Sequence, residues 1–349
     1  MVDLTQEQQE RIGHLRRLSR DGGPLAPGAP GATVNNPRWF VPGLGGAELV
    51  PTPERARLHR DILEQFYDKQ GRGDHGQRSI MLAGPPGSGK GTIRDQVTSE
   101  IGQQFTIVDP DEFKTLLMED AHDRGWLDDL IPDEVRRSGF TIKPMEMAAL
   151  VHEESALLAA EVRHEALAAG ENVVIDSVMG WEPAALQNAR DLERHGYAIE
   201  VVSVQVPQEL SQARILQRWA TDSAKPLGGR WVPSEYRHDV FAGDHKAASW
   251  PDRNARTVAE QVNAVERYRR YFTTMEMAAI NQPARLTHDL RRGADGYLHE
   301  SVESASLEVP AETLADRAKE IFQGPSVDGP VPYIDEQPPQ RGTDGPTLT

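Results

Sequence analysis

The chain has 349 residues, no cysteine and a formal net charge of −16. That length buries one large α/β core, with or without a small appendage. The lack of thiols excludes disulfides, thiolate zinc sites and cysteine nucleophiles. The acidic balance argues against nucleic-acid binding by backbone neutralisation and against docking on an anionic membrane. In chain order, Thr5 to Ser19 reads as a short polar helix without the apolar stretch of a signal peptide. Asp21 to Gly46 is rich in Gly, Pro and Asn and reads as an irregular arm, with Trp39 and Phe40 docked on the core. Pro53 to Lys69 has helical spacing, with Leu58, Ile62, Leu63, Phe66 and Tyr67 on one face.

Strands and helices then alternate. Ile80 to Ala83 is a strand, Thr92 to Ile101 a helix, Phe105 to Val108 a strand and Lys143 to Ala169 a long helix capped by Gly170. Asn172 to Ile175 is a strand, Pro183 to His195 a helix, Ile199 to Val206 a strand and Gln208 to Ala220 a helix. Thr257 to Asn281 is read as one long helix, Arg285 to His288 as a strand, and Glu312 to Phe322 as a last helix before a Pro- and Gly-rich tail. Apolar strands separated by helices predict an α/β fold of three layers, a mostly parallel sheet covered on both faces. Active groups are expected at the carboxyl ends of its strands. The expected organisation is an arm over 1–50, the main domain over 51–303, and a C-terminal helix and tail over 304–349. No apolar run is long enough to span a bilayer, so a cytoplasmic location is expected.

The most informative stretch is Gly84-Pro85-Pro86-Gly87-Ser88-Gly89-Lys90-Gly91-Thr92, placed after a strand and before a helix. Glycines let the backbone curl so that several N–H groups point at one anion, and the helix N-terminus adds partial positive charge. Gly84, Gly87, Ser88, Gly89, Lys90, Gly91 and Thr92 are therefore the candidate nucleotide-binding residues, with Lys90 reaching the β- and γ-phosphates. The usual hydroxyl directly after the lysine is replaced by Gly91, so Thr92, with Asp176, is the candidate Mg²⁺ ligand. Asp109 and Asp111 follow the second strand, and Asp176 ends the third. Arg218 and Arg230 lie further on, Arg230 within Gly228-Gly229-Arg230-Trp231-Val232-Pro233.

The order of these motifs resembles the zeta toxin family, over roughly Arg55 to Tyr297. The loop matches the family's glycine loop, Asp111 its catalytic aspartate, and Arg218 and Arg230 its two phosphate-clamping arginines. The resemblance implies a phosphate-loop kinase that uses ATP and Mg²⁺ to phosphorylate the 3′-hydroxyl of UDP-N-acetylglucosamine, restrained by a small antitoxin. It implies Lys90, Asp111, Arg218 and Arg230 as catalytic residues, and Asp109, Asp111, Asp176 and Glu154 as substrate-binding residues. Val178, after Asp176-Ser177, stands where the family often has Thr, and Ser234 to Arg256 has no clear family counterpart.

Each residue also has a plainer reading. Asp109 and Asp111 can cap a helix, Asp176 a turn, and the two arginines can lie on the surface. Glu153 and Glu154 can belong to a solvated helix face. Other acceptors, such as a nucleoside, nucleotide, antibiotic or RNA end, fit the same loop, as does a non-catalytic nucleotide-binding module. Arg267 to Phe272 mixes basic and aromatic residues, but on a helix Tyr268, Tyr271 and Phe272 would share one face with the arginines in water. Met145, Met147, Met275 and Met277 read as core or groove residues of helices. The N-terminal helix could also fold over the nucleotide site, in which case deleting Met1 to Gly46 raises activity.

Overall fold

The computed structural model describes residues 4–43, 49–233, 240–241 and 249–301. Two short strands, β1 (Phe40–Pro42) and β2 (Leu49–Pro51), pair antiparallel beside the main sheet. The main sheet is built from β3 (Arg78–Ala83), β4 (Thr106–Val108), β5 (Val173–Asp176), β6 (Ala198–Gln205), β7 (Val265–Phe272), β8 (Arg285–Arg292) and β9 (Leu298–Glu300). Its strand order is β4-β5-β3-β6-β7-β8-β9. The first five strands are parallel, and β8 and β9 add on antiparallel. The helices are α1 (Gln6–Leu18), α2 (Pro53–Gln70), α3 (Lys90–Ile101), α4 (Pro110–Asp123), α5 (Leu127–Leu130), α6 (Asp133–Arg137), α7 (His152–Ala169), α8 (Glu182–Arg194), α9 (Gln208–Asp222), α10 (Trp250–Gln261) and α11 (Met275–Ala279). The expected mostly parallel α/β fold is therefore present.

The continuous apolar run of β3 reflects burial on both faces. Ile80 and Leu82 pack with Ile93 and Val97 of α3. Met81 and Ala83 join the larger cluster that includes α2, α4, α7, α8 and α10 residues. The arm contributes to this core: Leu18, Leu25, Trp39 and Phe40 are buried in it. The adjacency of β4, β5 and β3 decides where function sits. It sets the ends of these three strands side by side, at the roughly 4.8 Å spacing of sheet neighbours.

Several expectations are corrected. Thr257 to Asn281 is not one helix: α10 ends at Gln261, and β7 and α11 follow. The strand was masked by charge, because its arginines are neutralised by acids on neighbouring elements. Arg267 pairs with Asp289, and Arg269 with Glu200 and Glu100. Tyr268 and Tyr271 consequently fall in different core clusters on opposite faces. These two arginines are committed to ion pairs within the fold. The expected helix from Lys143 begins instead as a 3-10 turn, Pro144–Val151, before α7. Met145 and Met147 are core residues, whereas α11, with Met275 and Met277, buries none of its residues. The expected helix over 312–322, the tail over 304–349 and most of 234–248 lie outside the described residues.

Glu154 is also corrected. Its side chain is fully buried, with Arg55 Nε at 2.5 Å, Arg55 Nη2 at 2.8 Å and His59 Nε2 at 2.7 Å. It ties α7 to α2 and is closed to a substrate. Burial alone would raise its pKa, but the hydrogen bonds and charges of His59 and Arg55 outweigh burial and bring it to about 2. A carboxylate depressed from 4.5 stabilises the fold fully above that value and loses the contribution as pH falls toward 2. Glu154→Gln should cost about 3–5 kcal/mol at pH 7 by leaving Arg55 uncompensated. Urea unfolding at pH 7 and pH 4 should show this cost shrinking at the lower pH.

Candidate active site

The glycine loop links β3 to α3. Gly84, Gly87 and Gly89 all have positive φ, at 155°, 76° and 94°. Gly84 also admits no side chain, since a Cβ there would come 2.2 Å from the Val204 carbonyl oxygen of β6. Gly89 caps α3 without any side-chain hydrogen bond, and no acid stands in the first turn. The helix thus offers uncapped N–H groups and its positive end. Ser88 Oγ is buried and has no hydrogen-bond partner, and Lys90 Nζ donates to the Gly84 carbonyl at 3.2 Å. A curled backbone, an orphaned buried hydroxyl and a lysine resting on its own loop fit a polyphosphate.

The three aspartates converge beside this loop from the adjacent strands. Asp109 is the N-cap of α4, its Oδ1 accepting the Asp111 N–H at 2.9 Å. Pro110 at the first helical position suits the fixed φ of proline. Asp111 is thereby turned in the first turn of α4. Its Oδ2 lies 2.6 Å from Arg230 Nη1 and its Oδ1 3.0 Å from Lys114 Nζ. Asp176 ends β5, with Lys90 Nζ and Arg94 Nη1 each 3.9 Å from a carboxylate oxygen.

Their electrostatics differ. Burial, followed by repulsion from Asp176 and Asp111, pushes Asp109 up to about 6. Burial also acts to raise Asp111, but Arg230 and Lys114 outweigh it and hold this carboxyl well below the usual range. Asp176 is raised by burial, against the opposing pull of Lys90 and Arg94. Arg218 is exposed on α9, and partial desolvation, followed by the like charge of Arg230, lowers its pKa. Arg218 has no ion pair among the described residues and remains available to an incoming anion. Each of these groups acts on the charge of others in the set, so they form one electrostatic unit.

Three contributors escaped the sequence reading. Arg94 follows Lys90 by four residues on α3, and Lys114 follows Asp111 by three on α4. Arg214 precedes Arg218 by four on α9 and donates to the Gly87 and Ser88 carbonyls at 3.3 and 3.4 Å. Helical spacing from a residue already identified would have found all three. The turn after β5 was also missed. Met179 there has φ 59°, and its carbonyl accepts from Asn254 Nδ2 of α10 at 2.8 Å. The Val178 carbonyl accepts from Gly84 N–H at 3.2 Å, which ties this turn to the loop.

Thr92 is exposed on the first turn of α3. Among the described residues no group of three or more acidic or histidine side chains is arranged to hold a metal. The candidates named for Mg²⁺ are thus one carboxylate, Asp176, which faces Lys90 and Arg94, and the exposed hydroxyl of Thr92. A groove of about 410 Å³ between α10 and the β7–β8 strands, lined by Arg253, Arg256 and His288 among others, contains none of these residues.

A family model described as Zeta toxin matches residues 67–273, more than half of the chain. The chain belongs to the zeta toxin family. Membership makes it a phosphate-loop, kinase-like toxin in broad class, and the matched span includes the loop, all three aspartates and both arginines. Similar solved structures include the PezAT chromosomal toxin–antitoxin system of Streptococcus pneumoniae, at 15% identity over 69% of this chain and 83% of that chain, with a TM-score of 0.46. The native AvrRxo1-ORF1:-ORF2 complex is similar at 19% identity over 76% and 73%, and the same pair with ATP at 18% over 80% and 76%, each with a TM-score of 0.47. Comparison with curated proteins gives no match. Among the described residues no helix is long and apolar enough to cross a membrane.

Arg230→Gln should raise the pKa of Asp111 toward the ordinary carboxylate range, because the strongest opposing charge is lost. Titration of the ¹³C carboxyl signals of the aspartates measures the shift, and an Asp111 signal that stays depressed would contradict the pairing.

Proposed function

We propose that this chain transfers the γ-phosphoryl group of ATP to a hydroxyl of a small molecule, with a nucleotide sugar such as UDP-N-acetylglucosamine as acceptor. In this reading residues 51–303 form the kinase domain. The protein acts in the cytoplasm as the toxin of a toxin–antitoxin pair and is restrained by a small antitoxin protein. The observation that carries the proposal is the meeting of a phosphate-shaped glycine loop with an aspartate held between two cations, Arg230 and Lys114.

Phosphoryl transfer depends mainly on positioning and charge stabilisation. The loop N–H groups and Lys90 hold the donor phosphates. Arg218 and Arg230 neutralise charge on the transferring group. Asp111 is ionised and accepts the hydrogen bond of the acceptor hydroxyl. Its depressed pKa makes it a weak base, which suits a loose transition state that needs orientation of the nucleophile more than full proton removal. Asp176 and Thr92 are the residues to hold Mg²⁺, which supplies neutralisation of the phosphate charge. Asp109 fixes the first turn of α4 and so the direction of Asp111.

The acceptor is proposed on family membership together with the carboxylates at the strand ends, which suit sugar hydroxyls. Mass spectrometry of the purified protein with ATP, Mg²⁺ and UDP-N-acetylglucosamine tests it. A product heavier by one phosphoryl group is expected, with the rate reduced by about 10²–10⁴-fold in Asp111→Ala and lost in Lys90→Ala. ATP turnover without that product would reject the acceptor and keep the kinase. Full transfer by Lys90→Ala would reject the site.

A further inference from the structure

The position of Arg230 is set by residues far from it in sequence. Gly228 and Gly229 lead into it and are packed too closely for side chains. A Cβ on Gly229 would come 2.1 Å from the Trp219 carbonyl oxygen, and one on Gly228 2.7 Å from Lys143 Cβ. Directly after Arg230, Trp231 is 3% exposed. Its backbone N–H donates to the Met145 carbonyl at 3.2 Å, and its indole Nε1 donates to Ser19 Oγ at 2.9 Å. Its ring meets Trp219 edge-on, with centroids 5.9 Å apart. Trp219 in turn donates through Nε1 to Glu146 Oε1 at 3.3 Å, and Arg11 of α1 grips Glu146, with Nε at 2.6 Å. Ile12 and Leu15 of α1 share one buried cluster with Trp219 and Trp231.

Both clamp arginines are thus sequence neighbours of an indole backed by α1: Arg218 precedes Trp219, and Arg230 precedes Trp231. Ile12 and Leu15 of α1 pack with these indoles while Leu18 joins the main core, and the helix's long-range hydrogen bonds go to Glu146 and the Thr141 carbonyl. That placement is behind the clamp and does not fit a lid over the nucleotide. We infer that α1 and Ser19 are positioning elements of the phosphotransfer site, holding Trp231 from behind so that Arg230 stands on Asp111 and reaches the transferring phosphate. The N-terminal arm is then a working part of the kinase, and its loss lowers activity. This inference rests on the reading of Arg230 as a phosphate clamp.

The test uses the full chain carrying Ser19→Ala, Trp231→Phe, or both. Ser19→Ala deletes the hydrogen bond and keeps the packing, whereas Trp231→Phe deletes it together with part of the indole. Two readouts are followed: the ¹³C titration of Asp111, which needs no substrate, and turnover of ATP with Mg²⁺ and UDP-N-acetylglucosamine. The expected result is an upward shift of the Asp111 pKa in both single variants. With it, kcat should fall at least tenfold, toward the roughly 10²-fold cost of a small misplacement, while KM for ATP stays within about twofold. The double variant should match Trp231→Phe, in which the shared bond is already lost. Ile62→Val, a core change on α2, serves as control and should lower the thermal midpoint while leaving both readouts unchanged. An unshifted Asp111 with unchanged turnover in the variants overturns the inference, as does increased turnover, which would make the arm a brake. Arg230→Ala separates the two levels. If it abolishes turnover while Ser19→Ala and Trp231→Phe are fully active, only the positioning role fails. If it retains turnover, the clamp reading fails as well.

Discussion

The ion pair between Asp111 and Arg230, at 2.6 Å, is the contact on which the site depends. The strand order β4-β5-β3 brings Asp109, Asp111 and Asp176 together, and half-buried carboxylates at such proximity repel one another. The fold resolves this with cations from several elements: Lys90 and Arg94 on α3, Lys114 on α4, Arg218 on α9 and Arg230 on the following loop. The named cations outnumber the named carboxylates in a chain whose formal charge is −16. A local positive excess on an acidic protein focuses an anionic ligand on one place, and the uncapped end of α3 lies within it.

The same pair links the candidate site to the packing behind it. Arg230 can stand on Asp111 only if the glycines before it and Trp231 after it are fixed. They are fixed by contacts with Trp219, Lys143, Met145 and Ser19. The N-terminal helix and Ser19 at its end therefore contribute order at long range. Gly229 sits against the Trp219 carbonyl because that approach leaves no room for a side chain.

Much of the fold and the centre of the site were legible in the sequence, for identifiable reasons. An apolar run, a glycine loop and a following helix are local features, and Asp109, Asp111 and Asp176 follow from the rule that active groups sit at the carboxyl ends of parallel strands. What was not legible depends on partners distant in the chain. Glu154 looks like any helix acid until Arg55 and His59 are placed against it. β7 looks helical until Asp289, Glu200 and Glu100 neutralise its arginines. The role of α1 depends on two indoles some two hundred residues away, for which no local pattern exists. Arg94, Lys114 and Arg214 are a different case: their helical offsets from Lys90, Asp111 and Arg218 were readable, and the signal went unused.

The central claim is that a polyphosphate on the glycine loop is met by the cations that hold the aspartates. A crystal structure with Mg²⁺ and a non-hydrolysable ATP analogue tests it most directly. The terminal phosphate is predicted to lie within hydrogen-bond distance of Lys90, Arg218 and Arg230, with an Asp111 oxygen facing the acceptor side of that phosphate. A nucleotide seated away from residues 84–92, or a terminal phosphate out of reach of both arginines, would contradict the account.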